Sequence, residues 1–205
     1  GIAPIAAQPR AADSPLTIVW AARWEHDKRP DLFLSAIEQL SAAGHDFRLQ
    51  VLGQAYRDVP PAMAELRTRY ARQITQWGLA PADQYREILS LSDVLVSTAD
   101  HEFFGLATVE AMSAGCYPLL PARLSYPELL GPQHDDHLYQ SVDDLVRCLM
   151  ELSERKQTSG SVWLRNPHHL SDSMRRFSWQ RRAEAMDEEI EQLAGQFTQA
   201  RTAGE

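Results

Sequence analysis

Two carboxylates, Glu102 and Glu110, stand eight positions apart in the run His101-Glu102-Phe103-Phe104-Gly105-Leu106-Ala107-Thr108-Val109-Glu110-Ala111-Met112-Ser113-Ala114-Gly115. On one straight helix that spacing puts them about 12 Å apart along the axis. A glycosidase pair needs roughly 5 to 9.5 Å, so separate jobs are expected. Glu102 is placed in a loop beside a reacting group, and Glu110 one or two turns down a helix, reaching a hydroxyl at the far end of a ligand. The apolar Val94-Leu95-Val96-Ser97 reads as a buried strand before this run, and Gly115 closes it where helices commonly stop. The order is therefore strand, loop, helix. The first N–H groups of such a helix, near Gly105, Leu106 and Ala107, lack intrahelical partners and carry the positive end of its dipole, which makes them an anion site.

A second constellation lies near the start of the chain. Arg23 and Lys28 bracket the polar loop after a first strand, Leu16-Thr17-Ile18-Val19-Trp20-Ala21-Ala22. Two fixed cations at the carboxyl end of a strand suit a diphosphate leaving group, whose charge grows as a glycosidic bond breaks. The plainer alternative is a solvated basic loop in which Lys28 pairs with Asp27 or Asp31. Gly105 suits either a close backbone approach to a ligand or an ordinary turn, so it discriminates little.

Glu102 and Glu110, with Phe104-Gly105 between them and Ala111-Met112 leading to Gly115, resemble the signature of family 4 of the retaining glycosyltransferases. The wider string, with Gly115-Cys116-Tyr117-Pro118-Leu119 and Ser125-Tyr126-Pro127-Glu128, is similar to the queuosine-tRNA mannosyltransferase-like branch. The resemblance runs from about Leu16 to Trp179 and implies the donor-binding, C-terminal half of a two-lobed GT-B fold. It implies that Arg23 and Lys28 hold the donor's diphosphate and that Glu110 takes the ribose hydroxyls. Glu102 is then the acid near the transferred sugar, with Phe104, Gly105 and Leu106 beside the donor. By the same analogy the base sits near Gln76, Trp77 and Gly78, and Gly53 and Gln54 line the cleft. Trp77 taken alone reads more readily as core than as a stacking platform. The implied reaction moves a hexose from a nucleoside-diphosphate sugar with retained configuration and no metal or other cofactor. The branch points to mannose from GDP-mannose onto queuosine in tRNA. A chain of 205 residues is expected to hold one lobe, so the N-terminal acceptor lobe becomes a partner, tRNA is met through that lobe, and this half binds donor but does not catalyse. A non-catalytic nucleotide-binding or interaction module on the same fold is the alternative; the presence together of Arg23, Lys28, Glu102 and Glu110 argues against it. A dinucleotide oxidoreductase is set aside, because Arg23-Trp24-Glu25 stands where a Gly-x-Gly-x-x-Gly would follow the first strand.

The elements that must position these residues alternate. Strands are expected at 16–22, 47–52, 74–77, 94–97, 116–120 and 137–139, the third weakly marked. Helices are expected at 31–43, 60–73, 81–91, 106–114, 125–130 and 142–156. That alternation predicts an α/β, Rossmann-like, doubly wound parallel sheet of about six strands over residues 16–157. Residues 1–15, rich in Pro and Ala, read as a linker or an N-terminal arm, and 158–205 as a C-terminal helical extension. A formal charge of -8 gains nothing from counterion release, so strong RNA binding by this chain alone is not expected. Cys116 and Cys148 read as buried reduced thiols, which fits a cytoplasmic protein, and no apolar run is long enough to span a bilayer. His26, His45, His134, His137, His168 and His169 form no zinc pattern and read as surface loops where they lie close together. His101 reads as a loop residue bonded to a carboxylate, or as a sugar contact.

Overall fold

The computed structural model describes residues 1–56, 58–131, 135–164 and 168–202. Six strands, β1 (Leu16–Ala21), β2 (Phe47–Leu52), β3 (Ile74–Gly78), β4 (Val94–Val96), β5 (Tyr117–Pro121) and β6 (Leu138–Tyr139), form one sheet. Its order is β3-β2-β1-β4-β5-β6, and every neighbouring pair is parallel. The helices between them are α1 (Pro30–Ala42), α2 (Pro61–Arg69), α3 (Ala82–Leu91), α4 (Leu106–Ser113), α5 (Tyr126–Leu130) and α6 (Val142–Ser159). α7 (His168–Ser173), a 3-10 turn (Met174–Phe177) and α8 (Trp179–Thr202) follow.

The sheet is covered on both faces because its strands are apolar on both. Leu16, Ile18 and Trp20 of β1 point into a cluster with Phe33, Ile37 and Leu40 of α1 and Leu145 and Leu149 of α6. Val19, one position out of phase, belongs to the opposite cluster with Leu89 of α3 and Val109 and Met112 of α4. This is the period-two alternation of a strand buried on both sides. β3 is the least regular strand, its register on β2 shifting between Leu49 and Gln50, which accounts for the weak sequence signal there.

The chain ends pack on the sheet domain. Of the two alternatives for the first residues, linker or arm, they form an ordered arm. Ile2 and Ile5 are buried, and Ile2 exchanges main-chain hydrogen bonds with Phe177 and Trp179. The Ile5 N–H donates to Ser113 Oγ at 2.8 Å, and Arg10 donates to the carbonyls of Ser92 and Ala114. Nor does everything after residue 157 stand apart, since Leu170 and Met174 are buried in the same cluster as α4. Only α8 extends outward, with Met186, Ile190 and Leu193 exposed along it.

Candidate active site

The strand order reverses between β1 and β4, and in open parallel sheets the crevice at such a switch point is where ligands sit. The loops leaving β1 and β4 are tied together there. The Thr98 hydroxyl donates to the Lys28 carbonyl at 2.8 Å, the Trp20 indole N–H donates to Thr98 Oγ1 at 3.1 Å, and the Asp100 N–H donates to the Asp27 carbonyl at 2.7 Å. Lys28 ends a 3-10 turn (His26–Lys28) and is followed by Arg29 in the left-handed region at φ 49°, immediately before Pro30 starts α1. Such a backbone angle is unfavourable for a residue with a Cβ. Arg29 is held by ion pairs with Asp31 at 2.8 Å and Asp100 at 3.1 Å. The hydrogen bond from Arg29 keeps the Asp31 carboxyl below its ordinary range.

Lys28 is nearly buried. Its ammonium donates to the His101 carbonyl and lies 3.4 Å from both Glu102 Oε2 and Asp27 Oδ2. Asp31 is engaged by Arg29, so of the two pairings the basic-loop alternative offered, only the one with Asp27 forms. Arg23 is different. It reaches Asp27 at 3.7 Å, and its side chain is 57% exposed.

Glu102 organises the loop that leads into α4. Its Oε1 accepts from the N–H of Phe103 at 3.1 Å and of Gly105 at 3.0 Å, while Oε2 faces Lys28. Gly105 is the residue before the helix and has φ 78°, so the backbone itself calls for glycine there. One of the N–H groups expected in the anion site, that of Gly105, is thus already taken by Glu102. Leu106 and Ala107 begin the helix, where N–H groups lack intrahelical partners, and both line the cavity. Glu110 lies one turn further on, where its Oε2 accepts from the Tyr85 hydroxyl at 2.9 Å. Burial and the neighbouring Glu110 carboxylate push the Tyr85 phenol far above its ordinary range, so it stays a donor.

Two adjoining hollows share Ala21, Ala22, Arg23, Leu106 and Ala107 and form one cleft. The smaller, about 260 Å³, lies between Arg23, Lys28, Glu102 and the start of α4, with Thr98 and Tyr126 at its base. The Tyr126 hydroxyl is 2.7 Å from Ser97 Oγ, and burial raises its pKa to about 12. The larger, about 500 Å³, runs over the ends of β1 and β2 to Tyr85 and Glu110. Its floor requires Gly53: at φ 134°, a Cβ there would lie 1.9 Å from the Ala22 carbonyl oxygen.

The cleft therefore gathers Arg23, Lys28, Glu102, Gly105, Leu106, Glu110, Gly53 and Gln54, and leaves out four residues expected in it, Gln76, Trp77, Gly78 and Phe104. Trp77, half-buried on β3, packs on Trp24 at 4.9 Å and under the Arg67 guanidinium at 5.5 Å, against the edge of the core cluster. Gln76 meets Gln84 at 3.4 Å. Past the end of β3 it is Leu79 and Ala80 that line the larger hollow, with Tyr56 across from them. Phe104 is drawn out of the site by an edge-on contact with Phe177 at 5.3 Å, and Phe103, 100% exposed, lines the smaller hollow instead. Sequence reasoning missed Tyr85 and Tyr126, and the Tyr-Pro-Glu string contained Tyr126 without assigning it a role.

Other expectations resolve away from the cleft. His101 contributes its carbonyl to Lys28. His137 is buried against Tyr117, with Nδ1 3.2 Å from the Pro118 carbonyl, rather than lying in a surface loop. His134 lies outside the described residues. Cys116 is fully buried and bonded to the carbonyls of Leu89 and Ser92, but Cys148 is only half-buried. Among the described residues no cluster of His, Cys, Asp and Glu has the arrangement of a metal site, and no helix is long and apolar enough to cross a membrane.

A doubly wound parallel sheet whose switch-point cleft carries two cations, a helix N-terminus and a carboxylate one turn below it defines a class: the Rossmann-like half of a GT-B glycosyltransferase. Residues 3–159 match the family Glycosyl transferases group 1, and the chain belongs to that family. It is 34% identical over 145 residues to the tRNA-queuosine alpha-mannosyltransferase of Drosophila melanogaster, covering 68% of this chain and 38% of that protein. Over 109 residues, 51% of this chain and 28% of the relative, it is 30% identical to the GDP-mannose:cellobiosyl-diphosphopolyprenol alpha-mannosyltransferase of Xanthomonas oryzae pv. oryzae (strain PXO99A). The fold superposes on sucrose-phosphate synthase from Thermosynechococcus elongatus with a TM-score of 0.71 at 18% identity, over 90% of this chain and 46% of that one. The chain thus spans less than half the length of each of these proteins.

Proposed function

We propose that this chain is the donor-binding half of a retaining, metal-independent glycosyltransferase, and that its donor is a nucleoside-diphosphate hexose. The observation that carries the reading is the polarity of the single cleft. Arg23, Lys28 and the first N–H groups of α4 converge at one end, and Glu110 with Tyr85 stands at the other, on the same helix. A diphosphate at the first end places a ribose at the second. Leu79, Ala80 and Tyr56 then flank the base.

In the reaction the bond between the anomeric carbon and the diphosphate oxygen breaks, and negative charge grows on the diphosphate. Arg23, Lys28 and the N–H groups of Leu106 and Ala107 receive that charge; protein cations do what a metal would otherwise do. The acceptor hydroxyl enters on the face the diphosphate leaves, which retains configuration, and passes its proton to the departing diphosphate oxygen. Glu102 fixes Lys28 and the loop, and its remaining lone pairs face the sugar.

The donor favoured is GDP-mannose and the acceptor queuosine in tRNA, because the relative that covers most of this chain carries that name and the other is named for GDP-mannose. The acceptor site is assigned to an N-terminal lobe, which also covers the exposed Met186, Ile190 and Leu193 of α8. This chain alone binds donor without transferring sugar, in the cytoplasm. Calorimetric titration with GDP, UDP, ADP and GDP-mannose, with and without EDTA, tests the reading. Binding of GDP and GDP-mannose that exceeds that of UDP and ADP, survives EDTA and is lost in Glu110→Ala is expected. Preference for UDP removes the mannose and tRNA assignment, and a requirement for Mg²⁺ removes metal independence.

A further inference from the structure

The phenol of Tyr85 serves no purpose in the fold that its ring alone would not serve. The ring packs against the cluster formed by α3, α4 and β5, as a Phe would. The hydroxyl instead donates to Glu110 Oε2 at 2.9 Å, and both residues line the larger hollow. A carboxylate has two oxygens and about four acceptor sites, and on a flexible side chain it can turn either edge toward a ligand. Fixing Oε2 from the α3 side removes that freedom. Oε1 and the remaining lone pairs of Oε2 are then the acceptor sites left for two neighbouring hydroxyls of a ligand in the hollow that Glu110 lines.

We propose that Tyr85 is a positioning residue that sets the Glu110 carboxylate to recognise the cis-diol of the donor's ribose, and so makes the cleft selective for ribonucleotides over nucleotides lacking those hydroxyls. The inference rests on the donor-site reading above. Tyr85 touches the carboxylate and acts on the ligand through it. A hydrogen bond to a charged group is among the stronger ones, and orienting a bidentate acceptor before the ligand arrives removes an ordering cost at binding. Its effect is confined to ligands that carry the diol.

The test compares GDP with 2′,3′-dideoxy-GDP on the wild-type chain and on Tyr85→Phe, with thermal denaturation of both proteins. Wild type is expected to bind GDP at least about 10-fold more tightly than the dideoxy analogue. Tyr85→Phe is expected to lose about 5- to 10-fold in GDP affinity while its affinity for the analogue stays within about 2-fold. Equal losses for both ligands, or no loss for either, overturn the inference and leave the donor site standing. No GDP binding by the wild type overturns the donor-site reading and this inference with it. If Tyr85→Phe does not fold, carbon-13 NMR of ring-labelled tyrosine in the wild type decides: the Tyr85 signal should move with GDP and stay put with the analogue. Identical movement with both ligands contradicts the proposal.

Discussion

Arg23 and Lys28 carry the same charge and sit five positions apart, yet their surroundings predict opposite behaviour on substitution. Arg23 is 57% exposed with one long ion pair, so Arg23→Ala should weaken GDP binding about 10-fold while leaving thermal stability almost unchanged. Lys28 is nearly buried among the His101 carbonyl, Glu102 and Asp27. Lys28→Ala leaves those acceptors without a donor and should cost about 2 kcal/mol, a fall in Tm of roughly 4–8 °C in a domain of this size. Calorimetry and thermal denaturation of the two variants check the contrast, and a similar loss of stability in both would refute it. Cys116 offers a pH-dependent prediction. Burial raises its thiol to about 11, so above about pH 9 the unfolded chain releases this proton first and the native state loses stability as pH rises through 11. In Cys116→Ala the decline of Tm over that window should be shallower, and the half-buried Cys148 should be the thiol that alkylates in the native protein. The four charged residues that meet at the cleft stood out in the sequence, Arg23 and Lys28 by their place in the loop after the first strand, Glu102 and Glu110 by their spacing in the run before Gly115 and by the family resemblance that this run carries. Tyr85 did not, since its role depends on which way α3 faces α4, and Phe103 and Phe104 exchanged places because the contact with Phe177 comes from a segment over seventy residues away.

At the scale of elements, the helices and strands followed their apolar periodicity and their Gly and Pro punctuation, so the alternation that builds a doubly wound sheet could be read directly. The base end of the cleft could not. It depends on β3, an edge strand with a register shift, and on how far past Gly78 the chain runs before α3 begins. That moves the lining from Gln76 and Trp77 to Leu79 and Ala80. The loops after β1 and β2 meet so closely that Gly53 has no substitute: Gly53→Ala should cost about 3 kcal/mol or more through strain at positive φ and collision with the Ala22 carbonyl. A denaturant midpoint within error of wild type would show that the floor of the cleft can relax. Gly44 is a useful control. Its φ is also positive, at 83°, but no atom lies within 4 Å of its Cβ position, so Gly44→Ala should cost less, about 1 kcal/mol.

For the molecule as a whole, the arm at residues 1–10 closes over α4 and the turn before α8, a contact that composition alone did not reveal because Pro and Ala suit a linker as well as an arm. Ile2 and Ile5 are the anchors. Ile5→Ala should cost about 2–4 kcal/mol in unfolding free energy, and a neutral result would mean the arm does not stabilise the domain. With the arm seated, α4 is held at its carboxyl end by Ser113 and at its amino end by the Glu102 loop. The helix that carries both the cleft-lining Leu106 and Ala107 and Glu110 is therefore fixed relative to the sheet. The central claim is that one cleft, polar at both ends, seats a nucleoside diphosphate without a metal. The most direct measurement is a crystal structure of this chain with GDP in the presence of EDTA. The phosphates should lie between Arg23, Lys28 and the N–H groups of Leu106 and Ala107, with the ribose hydroxyls on Glu110. GDP bound in the reverse orientation, or at any other surface, would contradict the account.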